Sequence, residues 1–275
     1  MSAVATDFSY LQQLVLNRSA IVLSDDKEYL VESRLSPIAR ELGLEGVDAV
    51  LERLRLTRER ALEDRVVEAM TTNETLWFRD VHPFNALRRT VFPEIIARRA
   101  PYRQLAVWSA ASSSGQELYS ITMLLAESFP QVMDWHLSLH GTDLSSEMVN
   151  KARAGKYTTL EINRGLPATM MVRNFDRDGS NYVLKDEVRR MTTFRQMNLA
   201  EPWPTLPKYD LILIRNVLIY FDLPTRKKIL ESAARCLDPN GYLFIGSSET
   251  MMGVTDVFEA ATADGATFYR LKGKQ

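Results

Sequence analysis

Four stretches of this sequence end or interrupt apolar runs with side chains suited to a small charged ligand. SAASSSGQE, residues 109–117, follows the apolar LAVW and is built of small residues, which let a ligand approach the backbone closely. It lacks the GxGxxG spacing, so a plain strand-to-helix turn explains it equally well. Asp143 closes HLSLHGTD, where an acidic side chain can accept both hydroxyls of a ribose; the same residue also reads as the N-cap of a helix starting at Ser145. Together these two stretches point to an adenosine-containing ligand. Arg215 and Asn216 terminate the otherwise apolar YDLILIRN, and polar residues so placed are costly to bury and tend to face a cleft. Tyr220 and Asp222 follow at once, although Tyr220 beside Phe221 also fits a core aromatic whose hydroxyl is satisfied locally. In TTNETLWFRD, residues Asn73, Thr75 and Arg79 are too polar for the helix core that Leu76, Trp77 and Phe78 would complete; capping by Asn73 is the alternative.

Other chemistries find less support. Of the three histidines, His82, His136 and His140, the last two share a strand face without an HExxH context, so no metal is expected. The single cysteine, Cys236, lies on an apolar helix face and reads as core. No GxSxG elbow or phosphate-binding P-loop is present. The 34 basic and 35 acidic residues leave a net charge of -1, which argues against nucleic acid as a partner and against attraction to an anionic membrane. MSAVATDFSYLQQL lacks a basic n-region, and Arg215 and Asn216 interrupt the longest apolar run well short of the roughly 18 residues of a membrane span. A cytoplasmic protein without membrane insertion is the expectation.

The elements that must position these residues fall into two classes. With 275 residues, 45% of them hydrophobic, the chain can form two unequal domains. Up to about residue 75 every periodic segment is helical: Phe8, Leu11, Leu14 and Val15 recur at helical spacing, and SDDKEYLVESRLSPIARELG opens on a capping Ser24 and closes on Gly43. Two more helices fit at 47–55 and 58–70. This segment is acidic, and its local basic pairs, Lys27 with Arg34 and Arg53 with Arg60, are its only docking rows. Residues 76–103, containing RRTVFPEIIARRAPYR, read as a linker helix whose basic face is either solvated or a docking site. From 104 onward, buried strands (LAVWSA, HLSLHGTD, YDLILIRN, GYLFIGSS) alternate with amphipathic helices, the pattern of a parallel sheet covered on both faces. Residues 156–197, with turn signals and the short strands YVL and MTTFRQM, read as a partly antiparallel insertion, and ATFYRL as an antiparallel closing strand. In such a sheet ligands bind beyond the carboxyl ends of the strands, where the four stretches above lie.

The combination TTNETLWFRD, WSAASSSGQELYS, GTDLSSEMVNKARAGKY, RNVLIYFD and GSSE resembles the CheR-type chemotaxis receptor glutamate O-methyltransferases over nearly the whole chain. The resemblance implies a Rossmann-like α/β methyltransferase sheet (residues 104–275) with an inserted β-subdomain and a small helical N-terminal receptor-docking domain (residues 1–75). It implies S-adenosylmethionine as cofactor, S-adenosylhomocysteine as product, and the cytoplasmic helical bundle of methyl-accepting chemotaxis receptors as partner. By motif, Asn73, Thr75 and Arg79 contact the cofactor or line the active site, Glu117 meets the methionine end, and Asp143 the ribose. Asn198 and Leu199 surround the adenine, Arg215 and Asn216 complete the pocket, and Tyr220 lies near the transferred methyl. The family's usual GEEPYS reads GQELYS here, with Gln116 and Leu118 around a retained Glu117, and Trp77 stands for a usual Phe.

The implied reaction needs no general base, because a glutamate, with an ordinary pKa of about 4.3, is already ionised at neutral pH. Arg79 would orient that carboxylate. Two rival classes share the same ligand signature: a methyltransferase acting on a small molecule or nucleic acid, and a non-catalytic module that binds S-adenosylmethionine and signals through the helical domain.

Overall fold

The computed structural model describes residues 3–273; residues 1–2 and 274–275, including the start of MSAVATDFSYLQQL, lie outside the described residues. The chain forms two compact units. One comprises Met1–Thr72 and Ile219–Arg226, the other Asn73–Leu218 and Lys227–Gln275.

The first unit is helical, with α1 (Ala3–Ser19), α2 (Tyr29–Glu41), α3 (Val47–Thr57) and α4 (Arg60–Ala69). Their apolar stripes bury Leu11, Val15, Leu35, Val50, Leu54 and Val66. Ser24 does not cap α2. Its hydroxyl donates to the Asp26 carboxylate, and Asp25–Lys27 forms a separate 3-10 turn before α2 begins. Arg34, expected to dock a partner, is committed elsewhere: Nη1 donates to the Met70 and Thr71 carbonyls, each at 2.7 Å, and so closes the C-terminal end of α4. Burial, the largest influence on it, lowers its pKa. Arg34→Glu should therefore cost about 1–3 kcal/mol of stability in urea denaturation, by removing two charge-assisted bonds and leaving the carbonyls bare; an unchanged midpoint would count against this capping role. Lys27 stays exposed beside Asp26, and Arg53 pairs with Glu59 at 3.0 Å.

The second unit is built on a seven-stranded sheet ordered β6-β2-β1-β7-β8-β10-β9. Its strands are β1 (Gln104–Ala110), β2 (His136–Asp143), β6 (Thr192–Gln196), β7 (Tyr209–Ile214), β8 (Leu237–Ile245), β9 (Phe258–Ala263) and β10 (Ala266–Leu271). The first five run parallel to one another, while β10 pairs antiparallel with both β8 and β9. Strand β7 is buried at every position, as a central parallel strand covered on both faces must be. Helices α7 (Gln116–Ser128), α8 (Ser146–Ala154) and α12 (Leu223–Cys236) supply the crossovers. His140 sits inside this framework. Its Nδ1 faces the Tyr209 hydroxyl at 2.9 Å, and burial lowers its pKa below 6.5 while raising that of Tyr209 to about 12.

Two boundaries differ from the sequence reading. Residues 76–103 are not a linker: α5 (Val81–Ala86), a π turn (Leu87–Val91) and α6 (Phe92–Arg99) bury Phe84, Leu87, Val91, Phe92 and Ile95 in the core of the second unit. The basic face opposite is held by ion pairs, Arg88 with Glu127, Arg89 with Asp264, and Arg98 and Arg99 with Asp210 and Asp238. The insertion is also shorter than 156–197. Its own sheet, β3-β5-β4, uses β3 (Lys156–Thr158), β4 (Phe175–Asp178) and β5 (Asn181–Leu184), with short helices α9 (Thr159–Ile162), α10 (Ala168–Asn174) and α11 (Asp186–Arg189) between and after them. MTTFRQM instead supplies β6, parallel to β2 at the edge of the large sheet. Only Phe194 of β6 is buried, so it lacks the continuous apolar run of an inner parallel strand.

Candidate active site

The β1–α7 loop is tightly shaped. Ala111 and Ser113 take φ of 57° and 50°, and Gly115 sits at φ 94°, where a side chain is strained and a Cβ would crowd Ala152 Cβ at 3.0 Å and the Phe194 and Tyr119 ring carbons at 3.1 Å. Tyr157 donates its hydroxyl to the Ser114 carbonyl at 2.7 Å, holding the loop from below. The hydroxyl of Ser112, a buried residue, finds no hydrogen-bond partner among the described residues.

Asp143, 7% exposed, is tied to that loop. Its Oδ2 accepts the Ser113 amide at 2.7 Å and its Oδ1 the Ser145 amide at 3.0 Å, which fixes the plane of the carboxylate. The capping alternative fails, because Ser145 itself caps α8 by accepting the Met148 amide. The end of β6 lies alongside, Gln196 being in register with Asp143. The chain then continues into Asn198, whose side chain accepts the Ala200 amide at 3.0 Å, and the buried Leu199, whose carbonyl accepts from Trp203 Nε1 at 2.9 Å.

Residues 73–80 run across the same end of the sheet without forming a helix. Ser113 Oγ donates to the Asn73 carbonyl at 2.6 Å, Ser120 Oγ accepts the Phe78 amide at 3.1 Å, and Trp77 Nε1 donates to the Glu161 carbonyl at 3.0 Å. Trp77 is 1% exposed and meets Tyr157 and Phe175 edge-on, at 5.0 and 5.5 Å. The indole thus has both a packing role and a donor role that a Phe would lack. Thr75 is half-buried.

The two arginines of the site behave differently. Arg215, expected to face a cleft, has a side chain only 1% exposed. Its Nη1 donates to Glu117 Oε2 at 2.7 Å, and its Nη2 to Asp80 Oδ2 and the Arg79 carbonyl, both at 2.9 Å. The other Glu117 oxygen accepts from Ser109 Oγ at 2.7 Å. Arg215 is therefore an internal brace between the cofactor loop and residues 79–80. Arg79 is half-buried and donates only to the Glu74 carbonyl, at 3.3 Å; it has no ion-pair partner among the described residues, Asp80 being paired with Arg215.

Asn216, at φ 57°, gives its amide at 2.9 Å to Oε2 of Glu249, a residue the sequence reading did not single out. The only signal was its place in GSSE just past an apolar strand. Tyr220 falls in the first unit, where its carbonyl accepts the Val22 amide at 2.9 Å and Phe221 bridges Ile21. Ser113 thus joins Asn73 to Asp143, and Arg215 joins Glu117 to the Arg79 backbone, while Thr75, Asn198, Leu199 and Asn216 lie in the same unit and Tyr220 in the first.

This donor set fits S-adenosylmethionine. Asp143 suits a ribose diol, Glu117 an ammonium, and a small-residue loop with an unpartnered buried hydroxyl leaves room for backbone approach. Comparison with known proteins agrees. Residues 73–266 match the family model described as CheR methyltransferase, SAM binding domain, and residues 6–71 that described as CheR methyltransferase, all-alpha domain. The chemotaxis protein methyltransferase of Vibrio parahaemolyticus is 40% identical over 270 residues, covering 97% of this chain and 96% of the relative. Chemotaxis protein methyltransferase 1 of Vibrio cholerae is 42% identical over 260 residues, 93% of each chain. Chemotaxis protein methyltransferase 1 of Pseudomonas aeruginosa is 38% identical over 277 residues, 99% of this chain and 100% of the relative.

Proposed function

Because the chain belongs to the CheR methyltransferase family, and so is a chemotaxis methyltransferase using S-adenosylmethionine, we propose that its acceptors are glutamate side chains on the cytoplasmic helical bundle of methyl-accepting receptors, converted to methyl esters. The observation that carries this reading is the contrast between the two arginines. Arg215 spends both terminal nitrogens inside the protein, on Glu117, Asp80 and the Arg79 carbonyl, whereas Arg79 keeps most of its guanidinium fork for an incoming carboxylate. No helix among the described residues is long and apolar enough to cross a membrane.

When bound, the cofactor supplies an electrophilic methyl group on a sulfonium centre. Asp143 and the loop around Gly115 would hold its ribose, and Glu117, fixed by Arg215 and Ser109, would receive its ammonium. Arg79 orients the glutamate so that one oxygen lies in line with the carbon it attacks. An anion meets a cation and both charges vanish, so a water-poor site favours the reaction, while too tight a pairing with Arg79 would stabilise the ground state and slow it. We assign receptor docking to the first unit, where Lys27 and the exposed Arg60 remain available after Arg34 is taken up in capping α4.

Labelled methyl groups transferred from S-adenosylmethionine to receptor membranes should be released as volatile methanol in alkali, as esters are. Base-stable label would rule out glutamate, and label appearing only in small molecules or nucleic acid would rule out the receptor. Asp143→Ala should weaken S-adenosylhomocysteine binding by about 1.5–3 kcal/mol, the range for hydrogen bonds to a charged group. Unchanged calorimetric affinity in the folded variant would remove Asp143 from the ribose site.

A further inference from the structure

Beyond the residues that meet the cofactor and the acceptor, the ends of β7 and β8 are joined by a three-residue latch. Oε2 of Glu249 accepts two backbone amides, that of Asn216 at 2.9 Å and that of Gly246 at 2.5 Å. Gly246 is a requirement of this arrangement. A Cβ there would lie 2.7 Å from the Glu249 carboxylate and 2.8 Å from both the amide and the side-chain nitrogen of Asn216. Asn216 itself is held at φ 57°, a region that Asn tolerates but that a neighbouring contact must stabilise. The residue before it is Arg215, whose fork braces Glu117 and Asp80. Asp80 and Glu249, with Ser247, Thr267 and Tyr269, line one cavity of about 220 Å³ beside the ends of β8 and β10.

We propose that Glu249 is a positioning residue for methyl transfer: by clamping the Asn216 and Gly246 amides it fixes the turn after β7, and with it the direction of Asn216 and the Arg215 brace. This rests on the methyltransferase reading of the same site. Its carboxylate acts as an acceptor and not as a charge toward substrate, so an amide oxygen should serve nearly as well. Misalignment of an in-line attack by a fraction of an ångström is felt in turnover far more than in the many-contact binding of the product.

The test uses the full-length protein with receptor membranes and labelled S-adenosylmethionine. Glu249→Ala should lower kcat about tenfold or more while the KM for receptor and the Kd for S-adenosylhomocysteine change only a few fold. Glu249→Gln should recover most of that turnover. Gly246→Ala, which keeps the carboxylate but pushes Asn216 away, should reproduce the loss and serves if Glu249→Ala does not fold. Hydrogen–deuterium exchange at the amides of residues 216 and 246 should quicken in Glu249→Ala and Gly246→Ala but not in Glu249→Gln. Normal turnover in Glu249→Ala or Gly246→Ala would overturn the proposal, as would a Gln variant as impaired as Ala or a loss that merely tracks a lowered Tm. A wild-type protein that transfers nothing to receptors would defeat the receptor reading alone, and the exchange measurements would then decide the latch.

Discussion

Arg215→Met should destabilise the protein by about 3–5 kcal/mol and leave it without measurable methyl transfer, the cost expected when one partner of a buried charged network is removed. The guanidinium spans Glu117 and Asp80, and the Glu117 side chain, 11% exposed, would be left with only the Ser109 hydroxyl. Most of that loss is the penalty of an uncompensated buried carboxylate, so Arg215→Met with Glu117→Gln should be more stable than Arg215→Met alone. Activity should not return with stability, because residues 79–80 lose the brace that holds them and Glu117 loses its charge. Denaturation and turnover measured on the single and double variants would show this split. An Arg215→Met protein with normal stability and turnover would mean that the brace is dispensable.

Arg79→Ala should lose turnover without losing stability. Its one internal bond, at 3.3 Å to the Glu74 carbonyl, is too long and too exposed to contribute much to folding, so Tm should hardly move. Turnover should fall roughly 10- to 150-fold, the rate equivalent of losing a 1.5–3 kcal/mol charge-assisted contact in the transition state. The KM for receptor should change less, and Arg79→Lys should recover only part of the loss, because a point charge cannot reproduce a bidentate fork. The rival role for Arg79, a structural pair with Asp80, has no support in the fold, where Asp80 is held by Arg215. Near-normal turnover in a folded Arg79→Ala protein would nonetheless remove Arg79 from the reaction. Arg34→Glu provides the contrast within the first unit, with stability falling because a half-buried cap is lost.

The parts of this protein that depend on local periodicity are legible in its residues alone. Strands β7 and β8 are legible because a strand covered on both faces carries a continuous apolar run, and α1, α3, α4 and α12 because a half-buried helix repeats every three to four residues. The ligand end of the sheet was legible for the same reason, since SSSGQE, Asp143 and Arg215-Asn216 stand where those runs stop. The edge strand β6, with one buried side chain, gave no such run and was read into the insertion. The segment 81–99 shows apolar and basic faces together, and periodicity cannot say whether its apolar face meets a domain core or joins two domains. Which polar groups meet is settled by the packing of the strands. Arg215 finds Glu117 98 residues away and Asp80 135 away, and Glu249 reaches back 33 residues to Asn216. A buried charge must be paired, but the sequence records only that a charge sits at a strand end. Which partner neutralises it depends on the order in which the strands lie side by side, and so on burial summed over the whole sheet.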